Sequence, residues 1–214
     1  MYQKRIAMPK NWQMPKKEKK YVINSRAGQD KNYSVPILLI LRDLAKVINN
    51  TKEGKIALKQ GDVLVNNKKI TDTKFAVGIL DKIYIKKEEK YFILTLNNKG
   101  ITLKEISVKE YSTKITKIIN KRILKGKKVQ INCLDGRNFL YDKELKVGDG
   151  ILIDTLKNEI IKILPLKKGA KIFAIKGKHM GKEGVIQEIE EKEANVLFDD
   201  EKAKIRLESL MIIE

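Results

Sequence analysis

The stretch Gly61-Asp62-Val63-Leu64-Val65-Asn66-Asn67-Lys68-Lys69-Ile70-Thr71-Asp72 decides how the chain is read. It predicts a strand, a tight turn at Asn66-Asn67 and a return strand. Asparagine tolerates the left-handed backbone that such a turn needs. Ile83-Tyr84-Ile85 supplies another short strand. Upstream the period is helical. Residues 35–49 predict a helix with Ser34 as N-cap and Pro36 in the first turn. Ile37, Leu38, Leu41, Leu44, Ala45 and Ile48 form its apolar face, and Arg42, Lys46 and Asn49 its polar stripe. A second helix spans about 51–60, stopped by Gly61. Lys52, Lys55 and Lys59 share one face of it. Such a stripe is ordinarily a solvated face; two adjacent helices carrying basic stripes turn the reading toward RNA.

Downstream the chain continues as short strands at 91–96, 100–106, 115–124, 129–134, 137–141, 150–154 and 160–164. Asn98-Lys99-Gly100 and Asp135-Gly136 supply turns. A short helix fits near Val108–Tyr111. Strands at this spacing predict a small antiparallel barrel-like domain across 91–164. The whole is mostly β with some α.

Residues 172–186 set Gly177, Gly181 and Gly184 in a basic loop between two apolar strands. Glycine lets the backbone bend tightly and lie close to a phosphate. Lys176, Lys178 and Lys182 add point charges. The loop is no nucleotide-binding P-loop, because it lacks the Gly-Lys-Ser/Thr ending and a strand follows it. The plain alternative is a tight hairpin in a small barrel. His179 either stacks on a base or caps the loop.

Charge narrows the function. The chain has 214 residues, with 46 Lys plus Arg against 27 Asp plus Glu, a net charge of +19. A compact fold does not need this excess, and self-repulsion makes it a cost. A polyanion neutralises it and gains counterion release. Nucleic acid fits better than an anionic membrane, for which no basic amphipathic helix with bulky apolar residues is visible. A lysine-rich genome explains 40 Lys against 6 Arg, but not why the acidic residues failed to rise in parallel. Residues 165–187 hold six basic residues against one acidic, residues 188–214 four against nine. That polarity suits a module that docks one way round. Apolar residues make up 42% of the chain, enough for real cores, and no apolar run is long enough to span a membrane. The opening residues lack the apolar stretch of a secretory signal. One cysteine, Cys133, forms no internal disulfide, and one histidine leaves no zinc constellation. These features predict a soluble, cytoplasmic protein with no metal and no cofactor.

Residues 1–31 carry nine basic and two acidic residues, with Pro9, Pro15 and no apolar period. They predict an extended arm ordered by its partner. Trp12 either stacks on a nucleobase or anchors the arm to the protein's own body.

The loop Gly177-x-x-x-Gly181-x-x-Gly184 resembles a KOW motif. Residues 35–85 resemble the S-four RNA-binding fold, through two helices, the 61–72 hairpin and Asp81-Lys82-Ile83-Tyr84-Ile85. Lys4-Arg5-Ile6-Ala7-Met8-Pro9-Lys10-Asn11-Trp12 is similar to the basic arm of the archaeal and eukaryotic small-subunit ribosomal protein family S-four-e. Gly150-Ile151-Leu152-Ile153-Asp154 and Arg206-Leu207-Glu208-Ser209-Leu210-Met211-Ile212-Ile213 are similar to the same family, and the order of parts matches over essentially the whole chain. The resemblance implies a structural constituent of the small ribosomal subunit without enzymatic activity or small-molecule substrate. Its implied parts are a basic arm at 1–34, an S-four-like module at 35–90, a central β domain at 91–164 and an SH3-like KOW barrel at 165–214. It carries RNA contact onto Lys4, Arg5, Lys10 and Trp12, onto Arg42, Lys46, Lys52, Lys55, Lys59, Lys68 and Lys69, and onto Lys176, Lys178, His179 and Lys182. The implied partners are small-subunit ribosomal RNA and neighbouring ribosomal proteins, and the KOW loop faces one or the other. Two departures stand out. The first helix lacks the Arg-x-x-basic opening of many S-four modules, and Asn67 stands where glycine is usual. The ending Ile212-Ile213-Glu214, without the long basic tail of eukaryotic members, suits an archaeal source.

Two other classes compete. An RNA-modifying enzyme with an accessory S-four module needs a positioned nucleophile or base. Asp135, Asp142, Asp149 and Asp154 are the acidic candidates, and turns or strand ends account for each. A transcription-elongation factor built on the KOW module leaves the arm and the S-four segment unexplained.

Overall fold

The hairpin at Asn66-Asn67 forms as its residues demand. Strand Val63–Val65 pairs antiparallel with Lys68–Lys69. Asn66 and Asn67 take φ of 48° and 63°, the primed-turn geometry whose twist matches the flanking strands. The structure is a computed structural model describing residues 2–15, 17, 19–141, 145–198 and 201–213. It is mostly β with a few short helices and divides into two compact units, Met1–Lys114 and Ile115–Glu214.

In the first unit, helix Thr51–Gln60 has the expected bounds. The Asn50 side chain caps it by accepting from the Glu53 N–H, and the Glu53 carboxylate reaches back to the Asn49 N–H. Gly61 ends it in the left-handed region, its N–H donating to the Ala57 and Leu58 carbonyls. The helix seats at Gly54, where an added Cβ would lie 2.5 Å from Leu38 Cδ1 and 2.6 Å from Ile48 Cδ1.

The helix expected across 35–49 is shorter and begins later. Ser34–Pro36 is a strand paired with Ala76–Gly78, so Ser34 caps no helix; its hydroxyl donates to the Asp30 carbonyl. The helix opens at Ile37–Leu39 and closes as a wider π-turn at Ile40–Leu44. Lys46, at φ 55°, has left it. The cause is burial. Val35 and Ile37 through Leu41 are all inside, and an all-apolar run carries no period to separate strand from helix.

The hairpin continues into a five-stranded antiparallel sheet, ordered Lys68–Lys69, Val63–Val65, Lys82–Ile85, Lys90–Asn97 and Gly100–Glu105. The domain boundary expected between 90 and 91 therefore runs through one continuous sheet. The expected barrel across 91–164 is likewise not one body, because its first two strands belong to this sheet. Tyr84 faces Tyr91 across the junction, and local strand spacing could not reveal that pairing.

Residues 1–31 also differ from the expected free arm. Tyr2–Lys4 pairs with Tyr21–Ile23, and Met8, Trp12 and Met14 are buried. The Trp12 indole N–H donates to the Ser34 carbonyl at 2.9 Å. The Ile101 N–H donates to the Asn11 carbonyl at 2.8 Å. These anchors lack a local period because their partners are distant in sequence.

In the second unit one sheet runs in the order Asn138–Leu140, Val129–Cys133, Thr113–Ile123, Gly150–Asp154 and Glu159–Leu164. A second is ordered Glu201–Arg206, Glu193–Phe198, Glu183–Ile189, Lys171–Ala174 and Leu210–Ile212. Ile118, Ile131, Cys133, Ile151 and Ile153 fill the first core. Ile172, Ile186, Val196, Phe198, Leu210 and Ile212 fill the second, with Ile115 and Leu164 packed there from the first sheet. Each fully buried large aliphatic contributes about 1.5–3 kcal/mol.

Lys117 ties the two sheets. Its ammonium, on Thr113–Ile123, donates to the carbonyls of Leu207, Glu208 and Leu210 at 2.6, 3.1 and 2.7 Å. Burial pushes this amine down to about 8, against the pull of Glu208. Between pH 8 and the ordinary lysine value the unfolded chain holds a proton that the folded unit has released. Unfolding free energy should therefore rise with pH in that window, by roughly 1.4 kcal/mol per pH unit from this group. Lys117→Met should flatten the slope, measured as urea midpoints from pH 7 to 10 on both proteins. Parallel pH dependence in the two would sink the assignment.

Candidate nucleic-acid interface

Lys52, Lys55 and Lys59 stand exposed along one face of Thr51–Gln60, with no carboxylate partner among the described residues. Lys68 and Lys69 are exposed on the return strand of the hairpin. The Lys69 chain lies over the end of that helix, since a Cβ on Gly61 would meet its Cε at 2.6 Å and its Nζ at 2.8 Å. The ammonium there opposes the negative end of the helix dipole. Helix and hairpin thus bring Lys69 to the C-terminal end of the helix that carries Lys52, Lys55 and Lys59.

The other expected stripe does not form. Arg42 is half-buried and forks onto its neighbour Asp43, with Nε to Oδ1 at 3.0 Å and Nη2 to Oδ2 at 2.7 Å. Its charge is neutralised at home. Lys46 is exposed beyond the helix end, so spacing along a helix no longer relates the two.

In the N-terminal segment Lys4 and Lys10 are exposed. Trp12, at 3% exposure, anchors the segment to the body and presents no ring face to a base. Arg5 is buried too.

The glycine loop closes as a hairpin. The Gly181 N–H donates to the Ala174 carbonyl at 2.8 Å, and the Ala174 N–H to the Lys182 carbonyl at 3.0 Å. Gly177 and Gly181 hold φ of 91° and 84°, which side chains resist. Gly184 lies in the following strand, where a Cβ would meet the Leu197 carbonyl oxygen at 2.7 Å; its smallness serves strand packing. Lys176 and Lys178 are exposed, Lys182 half-buried. The His179 ring stacks on Phe198, centroids 5.0 Å apart and planes 4° from parallel. That ring face is closed to a base.

The sequence did not single out an aromatic row on the outer face of the first sheet. Leu64 pairs with both Lys69 and Tyr84, and Tyr84 pairs with Tyr91. The two tyrosine rings stack at 4.4 Å, and Tyr111 meets Tyr91 edge-on at 5.0 Å. The signal was available: Tyr84 sits between buried Ile83 and Ile85, and a period of two turns it to the other face.

The acidic candidates do turn work. Asp135 accepts from the Arg137 N–H, Asp149 from the Lys146 and Leu166 N–H groups, and Asp154 from the Leu156 N–H. Asp142 lies outside the described residues. Among the described residues no group of His, Cys, Asp or Glu could hold a metal, and no helix is long and apolar enough to cross a membrane.

A family model described as Ribosomal family S4e matches residues 87–160. The chain is 35% identical over 187 residues to the small ribosomal subunit protein eS4 of Nanoarchaeum equitans, covering 86% of this chain and 80% of the relative. The chain belongs to the S4e family. An eS4 from Methanospirillum hungatei is also 35% identical, over 190 residues, 86% of this chain and 78% of that relative. The crystal structure of 30S ribosomal protein S4e from Thermoplasma acidophilum superposes with a TM-score of 0.74 at 30% identity, covering 85% of this chain and 95% of that one. S4e proteins are structural proteins of the small ribosomal subunit, components of the cytoplasmic ribosome and not enzymes.

Proposed function

We propose that this S4e protein binds and stabilises small-subunit ribosomal RNA through phosphate contacts, using an S-four-like module near residues 35–90, its N-terminal segment and a KOW hairpin in an SH3-like barrel at 165–214. The observation that carries the reading is the exposed lysine face of Lys52, Lys55 and Lys59, without a carboxylate partner among the described residues, beside Lys68 and Lys69. Charges without an internal partner contribute little to the fold and are free to replace counterions on a phosphate backbone. Lys4, Lys10 and Lys46 add exposed charge in the first unit. In the second, Lys176, Lys178 and Lys182 border the glycine hairpin, which docks on RNA or on a neighbouring ribosomal protein.

Filter binding of the full chain to small-subunit ribosomal RNA across a salt series tests this. The log–log slope should be several-fold larger than one, since each neutralised phosphate adds roughly 0.7–0.9. The triple variant Lys52→Ala, Lys55→Ala, Lys59→Ala should lower the slope by about 2 and leave thermal stability nearly unchanged. A flat wild-type slope would end the electrostatic reading. An unchanged slope in the variant would move the surface off this helix.

A further inference from the structure

Arg5 is 4% exposed, yet nothing among the described residues accepts a hydrogen bond from its guanidinium, and its Nε is buried without a partner. The other buried cations are satisfied. Lys114 meets Asp81, Lys82 donates to the Glu110 and Thr113 carbonyls, and Lys117 has its three carbonyls. The Arg5 main chain is held, its N–H donating to the Lys20 carbonyl at 3.0 Å and its carbonyl accepting from the Met8 N–H at 3.3 Å. Gln3, two residues back at the centre of strand Tyr2–Lys4, also has its Nε2 buried without a partner. Four of the six such atoms among the described residues lie between residues 3 and 25, so the deficit belongs to this segment. The flanking sequence is cationic: the described residues from 2 to 29 hold no carboxylate, while Lys4, Lys10, Lys17, Lys19 and Lys20 fall in the same stretch.

A buried guanidinium with no counter-charge opposes the packing that buries it. The donors left over, an arginine fork and a side-chain amide, match the oxygens of a phosphate. We propose that the Arg5–Gln3 face is a receptor for one phosphate group, and that seating of the N-terminal segment on the body is coupled to its occupation. The source is a backbone phosphodiester of the RNA, which rests on the reading in the preceding section; free inorganic phosphate offers the same chemistry. A ligand that binds only the seated form stabilises that form by mass action. The coupling gives an unusual sign: removing the Arg5 charge should seat the segment more firmly in the absence of anion.

Trp12 is the sole tryptophan and is buried only when the segment is seated, so acrylamide quenching of its fluorescence reads the state of the full-length protein. At constant ionic strength, inorganic phosphate should lower wild-type quenching severalfold where chloride does not. Arg5→Met should be weakly quenched from the start and ignore phosphate, and Arg5→Lys should keep part of the response. Exposure of Trp12 in Arg5→Met would make Arg5 a structural strut and overturn the proposal, as would wild-type quenching that ignores both phosphate and RNA. Glu18, outside the described residues, is the nearest carboxylate in sequence. If Glu18→Gln exposes Trp12 without phosphate, the chain supplies its own counter-charge and the receptor is refuted. Protection by ribosomal RNA at protein-equivalent concentration assigns the site to a phosphodiester, and protection by inorganic phosphate alone assigns it to the free ion. Filter binding run in parallel separates the two readings. Salt-dependent RNA binding by a protein whose Trp12 ignores phosphate and RNA overturns the receptor alone. A phosphate response without RNA binding overturns the RNA reading and keeps the receptor.

Discussion

Lys114→Met should destabilise the first unit by about 3–5 kcal/mol, the cost of leaving a buried charge without its partner. Lys114 and Asp81 are 1% and 2% exposed, with Nζ 2.5 Å from Oδ1. The same carboxylate accepts from the Asn66 amide at 2.7 Å, the Gly78 N–H at 2.6 Å and the Gln29 amide at 3.1 Å. Burial pushes the Asp81 carboxyl up, but Lys114, Asn66 and Gly78 together hold it below the ordinary carboxylate value. Its contribution is therefore present at neutral pH and lost as acid protonates it in the folded state. Asn66 also accepts from the Lys82 N–H, so the pair is wired to the turn that starts the sheet. For a unit of this size the loss amounts to roughly 15 °C or more in Tm. The double variant Lys114→Met, Asp81→Asn should recover part of it, because no charge is then stranded. A single variant melting within about 1 kcal/mol of wild type would mean that Asp81 neutralises without cost.

Gly100→Ala should unseat the N-terminal segment while the sheet stays folded. A Cβ at Gly100 would lie 2.2 Å from the Asn11 carbonyl oxygen and 2.9 Å from its carbon, both main-chain atoms. Gly100 also holds φ 134°, where side chains are strained. Neither neighbour is the end of a flexible chain, so the chain must separate there, at a local cost of about 2–4 kcal/mol. The bond from the Ile101 N–H to the Asn11 carbonyl breaks, and Trp12 loses its place. The readouts are a red shift in tryptophan emission and faster proteolysis within residues 8–25, against little change in the far-ultraviolet circular dichroism. An unshifted Trp12 would show that the segment is held elsewhere.

The parts of the fold governed by neighbours in sequence were readable. Asn66-Asn67 could hardly build anything but a primed turn, and Gly61 closes its helix with atoms four residues away. Most strand positions from 91 to 164 follow from alternation alone. What alternation cannot say is which strand pairs with which, so the strands at 91–96 and 100–106, expected in a central domain at 91–164, lie instead in the sheet of Val63–Val65 and Lys82–Ile85. The N-terminal segment escapes sequence reading for the same reason: Trp12 and Asn11 are held by Ser34 and Ile101, far along the chain. At the candidate interface the exposed lysines of Thr51–Gln60 were legible because helical spacing sorts them. Lys114 and Lys117 were not, because a lysine in an alternating strand looks the same on either face. With Arg5 and Lys82 they are cations turned inward, so net charge overstates what is available to a polyanion.

The bridge between Trp12 and Ile101 also imposes a timetable. Translation at about 5–20 residues per second leaves residue 12 waiting roughly 5–18 seconds before its strand partner has been made. Throughout that interval a strongly basic stretch of the newborn chain lacks that seat. The first docking event available to it is on whatever polyanion lies nearest the point of synthesis.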